Sequence, residues 1–270
     1  MAENPASPMN RRSFIYQTMA YIMGGMLGLN GFSKVFACDQ PLVQPRISLI
    51  IDDIGFNRSR ARMFLDLDIP LTFSILPRLR HSSRLAEEIH HRGHDVMLHQ
   101  PMEPHNPSLN PGPGALYVGD GGERISRIME ENISDTPFIK GVNNHMGSRF
   151  TASEKDVREV LSVIKDKSLF FIDSLTTPQS KAYQTAKDLH LSTANRNFFL
   201  DFYREESAIS SQLHKLLNYA MRHGHAIGIG HPYPETALSL KAFLPRFIHS
   251  NVSLIHISNL LPSMMPYNFT

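Results

Sequence analysis

The sharpest chemical signal in this chain is a pair of adjacent carboxylates closing an apolar run, Ile47-Ser-Leu-Ile-Ile-Asp52-Asp53-Ile-Gly55. Carboxylates beside buried apolar residues are costly unless charge or hydrogen bonds compensate them. Neighbouring strand residues face opposite ways, so a shared site needs a turn of the backbone, which Gly55 eases. One carboxylate can then hold a cation while the other takes a proton from water. The plainer alternative is a helix-capping Asp beside a surface Asp.

Histidines close other apolar runs. In Gly93-His-Asp-Val-Met-Leu-His99-Gln-Pro-Met-Glu103, imidazole and carboxylate are both good zinc ligands at about 2.0–2.2 Å. His99 reads equally well as a hydrogen-bonded core histidine, and Glu103 as a group that faces substrate or supports a ligand. Gly141-Val-Asn-Asn-His145-Met-Gly147-Ser148 offers His145 as ligand or packing residue, with Asn144 beside it for substrate or for support of the ligands. His231, in Gly230-His231-Pro-Tyr-Pro234, has an imidazole able to donate a proton to a leaving group. Asp173, in Phe170-Phe-Ile-Asp173-Ser174, is suited to orienting a histidine or bonding substrate. Helix capping competes for both residues.

The elements that must position these groups are short, β-branched and continuously apolar, as buried parallel strands are. Strands are predicted at 47–51, 71–75, 95–98, 139–142, 169–172, 191–194, 226–229 and 252–255. Helix patterns lie between them. Ser153-Glu154-Lys155-Asp156 offers a capping-box start, followed by a face of Val157, Val160, Leu161 and Ile164. Ser207 is placed to cap a helix with the stripe Leu213, Leu216, Leu217, Ala220 and Met221, stopped at Gly224. About eight strand–helix repeats predict an α/β fold, and the count favours a (β/α) barrel over an open sheet. No G-x-G-x-x-G follows a strand, so a dinucleotide fold has no local support. Five of the predicted strands end in the residues above, where α/β barrels gather their functional groups. The stretch 101–122, with five prolines, is too long for an ordinary connection and reads as a loop over the active face.

Composition agrees with a globular enzyme-sized domain. Of 270 residues, 41% are apolar and 19% charged, and the net charge is +2. No strong field points to nucleic acid or an anionic membrane. One cysteine, Cys38, excludes internal disulfides and multi-cysteine zinc sites, so any metal must be held by His, Asp or Glu. Arg11-Arg12-Ser13-Phe14-Ile15 opens a modestly apolar run to about Phe36, with Val35-Phe36-Ala37 like a cleavage site. This segment, 1–37, resembles a twin-arginine export signal. An uncleaved anchor is the alternative, and either way the body of the protein is expected in the periplasm or cell envelope. Cys38 stands where a lipoprotein carries its acylated cysteine. Contact with membrane is therefore expected only through the signal or such a lipid. Segment 38–46 reads as a linker, 47–262 as the barrel and 263–270 as a tail.

Together the Asp52-Asp53-x-Gly, His99-x-Pro-Met-Glu103, Asn-Asn-His145-Met-Gly-Ser and Gly-His231-Pro-x-Pro segments resemble the divergent polysaccharide deacetylase family, a branch of the chitooligosaccharide deacetylase superfamily. The resemblance runs from about Arg46 to Leu261. It implies a distorted barrel of seven to eight (β/α) repeats, a divalent metal, commonly zinc, and a carbohydrate partner. It gives Asp52 the part of base, Asp53 and His99 the metal, and His231 the acid. The superfamily's second motif histidine falls on Glu103, and its Arg-x-Pro-Tyr region has become Asn143-Asn144-His145, so the third ligand is assigned to His145. The implied activity is removal of acetyl groups from an N-acetylated envelope carbohydrate. The alternative is a metal-containing protein that binds glycans or assists envelope assembly without catalysis. A metal-free glycosidase using two carboxylates would have no use for histidines at strand ends.

Overall fold

The computed structural model describes residues 44–261. The export-signal segment, Cys38 and the C-terminal tail lie outside the described residues. The described chain begins with β1 (Arg46–Ile54), α1 (Arg58–Leu65), β2 (Thr72–Ile75), α2 (Ser82–His91) and β3 (Asp95–Met102). It continues with α3 (Gly122–Asp135), β4 (Ile139–Met146), α4 (Glu154–Asp166), β5 (Phe170–Asp173) and α5 (Ala182–Asp188). Then come β6 (Thr193–Asn195), β7 (Phe198–Phe199), α6 (Glu206–His223), β8 (His225–Gly230), α7 (Pro234–His249), β9 (Ser253–Leu254) and α8 (Ile257–Leu260).

The strands form one parallel sheet in the order β6-β5-β4-β3-β2-β1-β8-β7, with β9 added to β1. This is the curled sheet of a distorted (β/α) barrel. Its two ends are neighbours in sequence. The stretch 193–199 pairs with β5 through its first half and with β8 through its second, so the chain itself closes the ring. The amide of Arg196 reaches back to Asp173 O at 3.0 Å, and that of Asn197 reaches across to Ile227 O at 2.9 Å.

Strand alternation sorts the core into layers. Leu49 and Ile51 face outward into apolar packing with α1, α6 and α7. Ile50, Met97, Ile172, Ile227 and Ile229 pack together with Ile257 and Leu260 of α8. The helix closes the floor of the barrel, where the amides of Ile257 and Ser258 bond Thr72 Oγ1 and Asp95 Oδ2. Residues two further along the inward-facing strands, Asp52 after Ile50 and His99 after Met97, therefore stand above an apolar plug.

All eight expected strands are present, and β7 is an addition. β3 and β4 run four residues beyond their expected ends, since paired neighbours satisfy their backbone groups as far as Met102 and Met146. Ser153 occupies the N-cap of α4, but its hydroxyl bonds Asp156 Oδ2 at 2.5 Å and caps no backbone amide. The expected face Val157, Val160, Leu161 and Ile164 is buried. Ser207 lies inside α6, which begins after Glu205. Ile209 joins its buried stripe and Met221 is exposed. Gly224 ends that helix in the left-handed conformation. The long proline-rich loop folds beside the β3–β4 pair. The hydrogen bonds of its middle run to Gln100, Asn132, Ser148 and Asp156.

Candidate metal centre

Asp53 belongs by alternation with the outward residues Leu49 and Ile51. A β-bulge changes this. Between Ile51 and Ile54, β1 advances three residues while β2 advances two, from Phe73 to Ile75. Asp53 takes a left-handed backbone, φ 57°, at the extra residue. Bulges re-aim side chains in this way, and here both carboxylates end on the mouth of the barrel. Gly55, φ 135°, completes the turn against Leu79 and Ser82.

From β3 and β4, His99 and His145 converge on Asp53. Asp53 Oδ1 lies 3.2 Å from His99 Nε2 and 3.0 Å from His145 Nδ1. The two ring nitrogens are 3.2 Å apart. Among the described residues these three side chains form the group able to hold a metal ion. Asp53 Oδ1 is buried without a hydrogen-bond partner, although two nitrogens stand close to it. Ligands about 2.0–2.2 Å from a tetrahedral zinc ion stand roughly 3.3–3.6 Å from one another, close to the spacing here. Donor types, spacing and the orphaned oxygen fit a divalent cation.

A buried network fixes these groups. His99 Nδ1 meets Asn143 Oδ1 at 2.7 Å, which as a donated N–H leaves Nε2 free for the site. Asn143 Nδ2 donates to Asp52 Oδ1 at 2.9 Å, and Ser74 of β2 donates its hydroxyl to Asn143 Oδ1. Burial drives the Asp52 pKa up. His99, His231 and the Asn143 bond oppose that rise without cancelling it. Asp53 is also pushed up by burial, but the close His145 and His99 imidazoles win and hold it well below the usual carboxylate range. Burial disfavours the charged form of His99, yet the charges of Asp52 and Asp53 raise its pKa.

His231 ends β8 on the other side of β1, its Nε2 4.0 Å from Asp53 Oδ2. Asp201 grips it twice: His231 Nδ1 lies 2.8 Å from Asp201 Oδ1, and the His231 amide donates to Oδ2 at 2.6 Å. Thr236 Oγ1 also donates to Oδ2. Burial opposes the imidazolium, but the Asp201 hydrogen bond and charge, with Asp53 and Asp52 behind them, lift the His231 pKa to about 9. Its ring lies against Phe199 and Tyr233, with centroids 4.9 and 5.6 Å away.

Other expected site residues sit elsewhere. Glu103 bonds Arg149 at 2.8 Å and the Val118 amide at 2.9 Å, tying down the proline-rich loop outside the cation group. Asn144, one step from Asn143, faces away from the network and bonds the Ser174 amide and Met146 O. Asp173 bonds Leu175 N, Ser180 Oγ and Tyr183 N, so its carboxylate orders the loop 174–183 rather than a histidine. Asp201 was not singled out from sequence. Its signal is the same as that of Asp52, an acid closing an apolar run, Phe198-Phe199-Leu200-Asp201. Arg196, also passed over, donates to Ser174 O and Leu175 O, and burial lowers its pKa against the opposing charges of Asp52 and Asp173.

A family model described as divergent polysaccharide deacetylase matches residues 49–261. The uncharacterized protein YibQ of Escherichia coli (strain K12) is 28% identical over 233 residues, 85% of this chain and 72% of its own. Among solved structures, uncharacterized protein ATU2773 of Agrobacterium tumefaciens C58 is similar with TM-score 0.76 and 23% identity, over 80% of this chain and 89% of that one. A mutant of BA3943 of Bacillus anthracis, a CE4 family pseudoenzyme with restored enzymatic activity, is similar with TM-score 0.50 and 16% identity, over 81% and 68% of the two chains. At these identities the structural likenesses establish the fold.

Proposed function

The chain belongs to the divergent polysaccharide deacetylase family, and from that premise we propose that it is a metal-dependent hydrolase removing acetyl groups from an N-acetylated cell-envelope carbohydrate. The observation that carries this reading is the convergence of Asp53 Oδ1, His99 Nε2 and His145 Nδ1 beside the separately buried Asp52. Asp53, His99 and His145 hold the cation, with zinc the first candidate. When bound, the cation supplies Lewis acidity for activating water and polarising an amide carbonyl.

The protein's own groups do the rest. Asp52, held by Asn143 and made more basic by burial, takes the proton from the attacking water. His231, kept protonated by Asp201, delivers a proton to the departing amine nitrogen. Asn143 joins the two steps structurally, since it holds the base with one end and a metal histidine with the other. Glu103 and Asp173 keep loops at the rim in place. The twin-arginine-like segment around Arg11-Arg12 supports an exported, cell-envelope location, where such glycans occur, with Cys38 as a candidate lipid anchor.

Zinc-loaded protein is expected to release acetate from N-acetylated oligosaccharides. Asp52→Asn should reduce release by a factor of about 10²–10⁴, the usual contribution of a general base, with metal content unchanged by elemental analysis. Sugar binding without acetate release across a broad panel would assign a non-catalytic glycan-binding role instead.

A further inference from the structure

The net charge of +2 hides an uneven distribution. From Ser207 to Leu261 the sequence holds a single acid, Glu235, against the cations Lys215, Arg222, Lys241 and Arg246. The four cations lie on α6 and α7, which pack side by side. None of them has an ion-pair partner among the described residues. Arg222 turns Nε onto Asn218 O of its own helix, at 3.2 Å, and its charge stays unopposed.

Both helices run against the strands and end on the floor side of the barrel, opposite Asp53 and His231. Arg222 and Arg246 stand in their last turns, where a cation complements the helix dipole. The dipole alone does not account for this corner. At the same face α3, α4 and α5 end on Asp135, Asp166 and Asp188, and Asp66 follows α1. α6 and α7 end without an acid. Each adds an exposed apolar side chain instead, Met221 at 51% and Ile248 at 77%. Apolar groups set among unopposed cations make a surface suited to anionic lipid.

The chain enters the barrel at this corner. Gln44 Nε2 donates to Asn251 Oδ1 at 3.2 Å, just past α7. The Arg46 amide donates at 3.0 Å to the carbonyl of Gly224, the residue that stops α6. The modestly apolar run to Phe36 is therefore joined to the barrel between the ends of the two helices. The eight residues from Phe36 to Gln44 span at most about 30 Å. Any hold of that run on a bilayer brings this corner to the lipid. An acidic protein would meet the same charges, but the exposed Met221 and Ile248 and the point of entry favour lipid.

We propose that the corner formed by Arg222, Arg246, Met221 and Ile248 docks on an anionic phospholipid bilayer, a membrane contact separate from the N-terminal segment. The mouth of the barrel then opens away from the membrane. This contact is independent of the chemistry at the metal centre.

The test uses the full chain with vesicles of phosphatidylethanolamine and phosphatidylglycerol, against vesicles of phosphatidylcholine, with binding read by flotation over a lipid titration. Binding through the N-terminal segment is common to all variants, so their differences report the corner. The unmutated protein should prefer the anionic vesicles, and added salt should weaken that preference. Arg222→Glu with Arg246→Glu should lower binding to anionic vesicles about tenfold or more. Lys155→Glu with Arg158→Glu, an equal charge change on exposed positions of α4, should leave it unchanged. Circular dichroism will check that both variants fold. The chain contains no tryptophan, so a single introduced indole reports the orientation. Emission from Ile248→Trp should move to the blue on anionic vesicles, while Phe202→Trp, at the mouth, should keep its emission in water. Indifference to lipid charge, equal loss in the two double variants, or full binding by the Arg222 and Arg246 variant overturns the proposal. So does a blue shift of Phe202→Trp without one of Ile248→Trp. Binding of an acidic protein in place of lipid gives the corner to a protein partner and overturns it too.

Discussion

At the scale of single residues, the arrangement around His231 makes a definite pH prediction. An acid must carry its proton to act, so kcat/KM should fall as pH rises through about 9, where the Asp201 carboxylate holds the imidazolium. Asp201→Asn leaves burial unopposed by that charge, and the alkaline limb should move acidward by a unit or more. A base must be ionised, and burial raises the Asp52 pKa. The acid limb should therefore lie above the usual carboxylate range of about 4. A pH–rate profile of the two proteins checks both limbs. Asn143→Ala removes the one side chain that bonds both Asp52 and His99. Metal affinity should weaken about 10–100-fold, the common effect of losing a ligand's supporting bond, as chelator competition will measure.

At the scale of elements, the bulge in β1 is the device that turns two oppositely directed carboxylates into neighbours. Gly55→Ala tests it. An added Cβ would meet Leu79 Cδ1 and Ser82 Oγ at 3.0 Å, in a backbone conformation that side chains rarely adopt. A loss of about 1–3 kcal/mol is expected, read by urea denaturation, together with weaker metal binding. Gly93→Ala, where a Cβ meets nothing within 4 Å, should lose less and leave the metal alone. The same element explains what the sequence could and could not reveal. Asp52, Asp53, His99 and His145 were legible because each closes an apolar run, and buried strands leave that mark. The bulge was legible only as a need for a turn at Gly55, since an extra residue is defined by the partner strand. Asn143 and Asn144 exchanged parts because the facing of adjacent residues depends on how far β4 stays paired. Asp201 also closes an apolar run, but it was passed over because β7 is only two residues long and no periodicity marks it as a strand.

At the scale of the whole molecule, the three side chains of the proposed cation site come from β1, β3 and β4, strands that β2 and its ladders already connect. Metal should therefore add to stability without being needed for folding. At a hundredfold excess over Kd the gain is about 2.7 kcal/mol, which raises Tm by roughly 5–10 °C for a domain of this size. His99→Ala should abolish that rise in a thermal melt with and without zinc. The ring itself has one weak place. Between β6 and β7 no ladder runs from strand to strand, and a single strap of chain changes partners at Arg196 and Asn197. Deuterium should enter those two amides well before it reaches Ile50 or Ile51, which are clasped on both sides. A barrel fastened by such a buckle can loosen locally while its staves stay joined. Solvent then has a second way toward the interior, on the flank that carries Asp201.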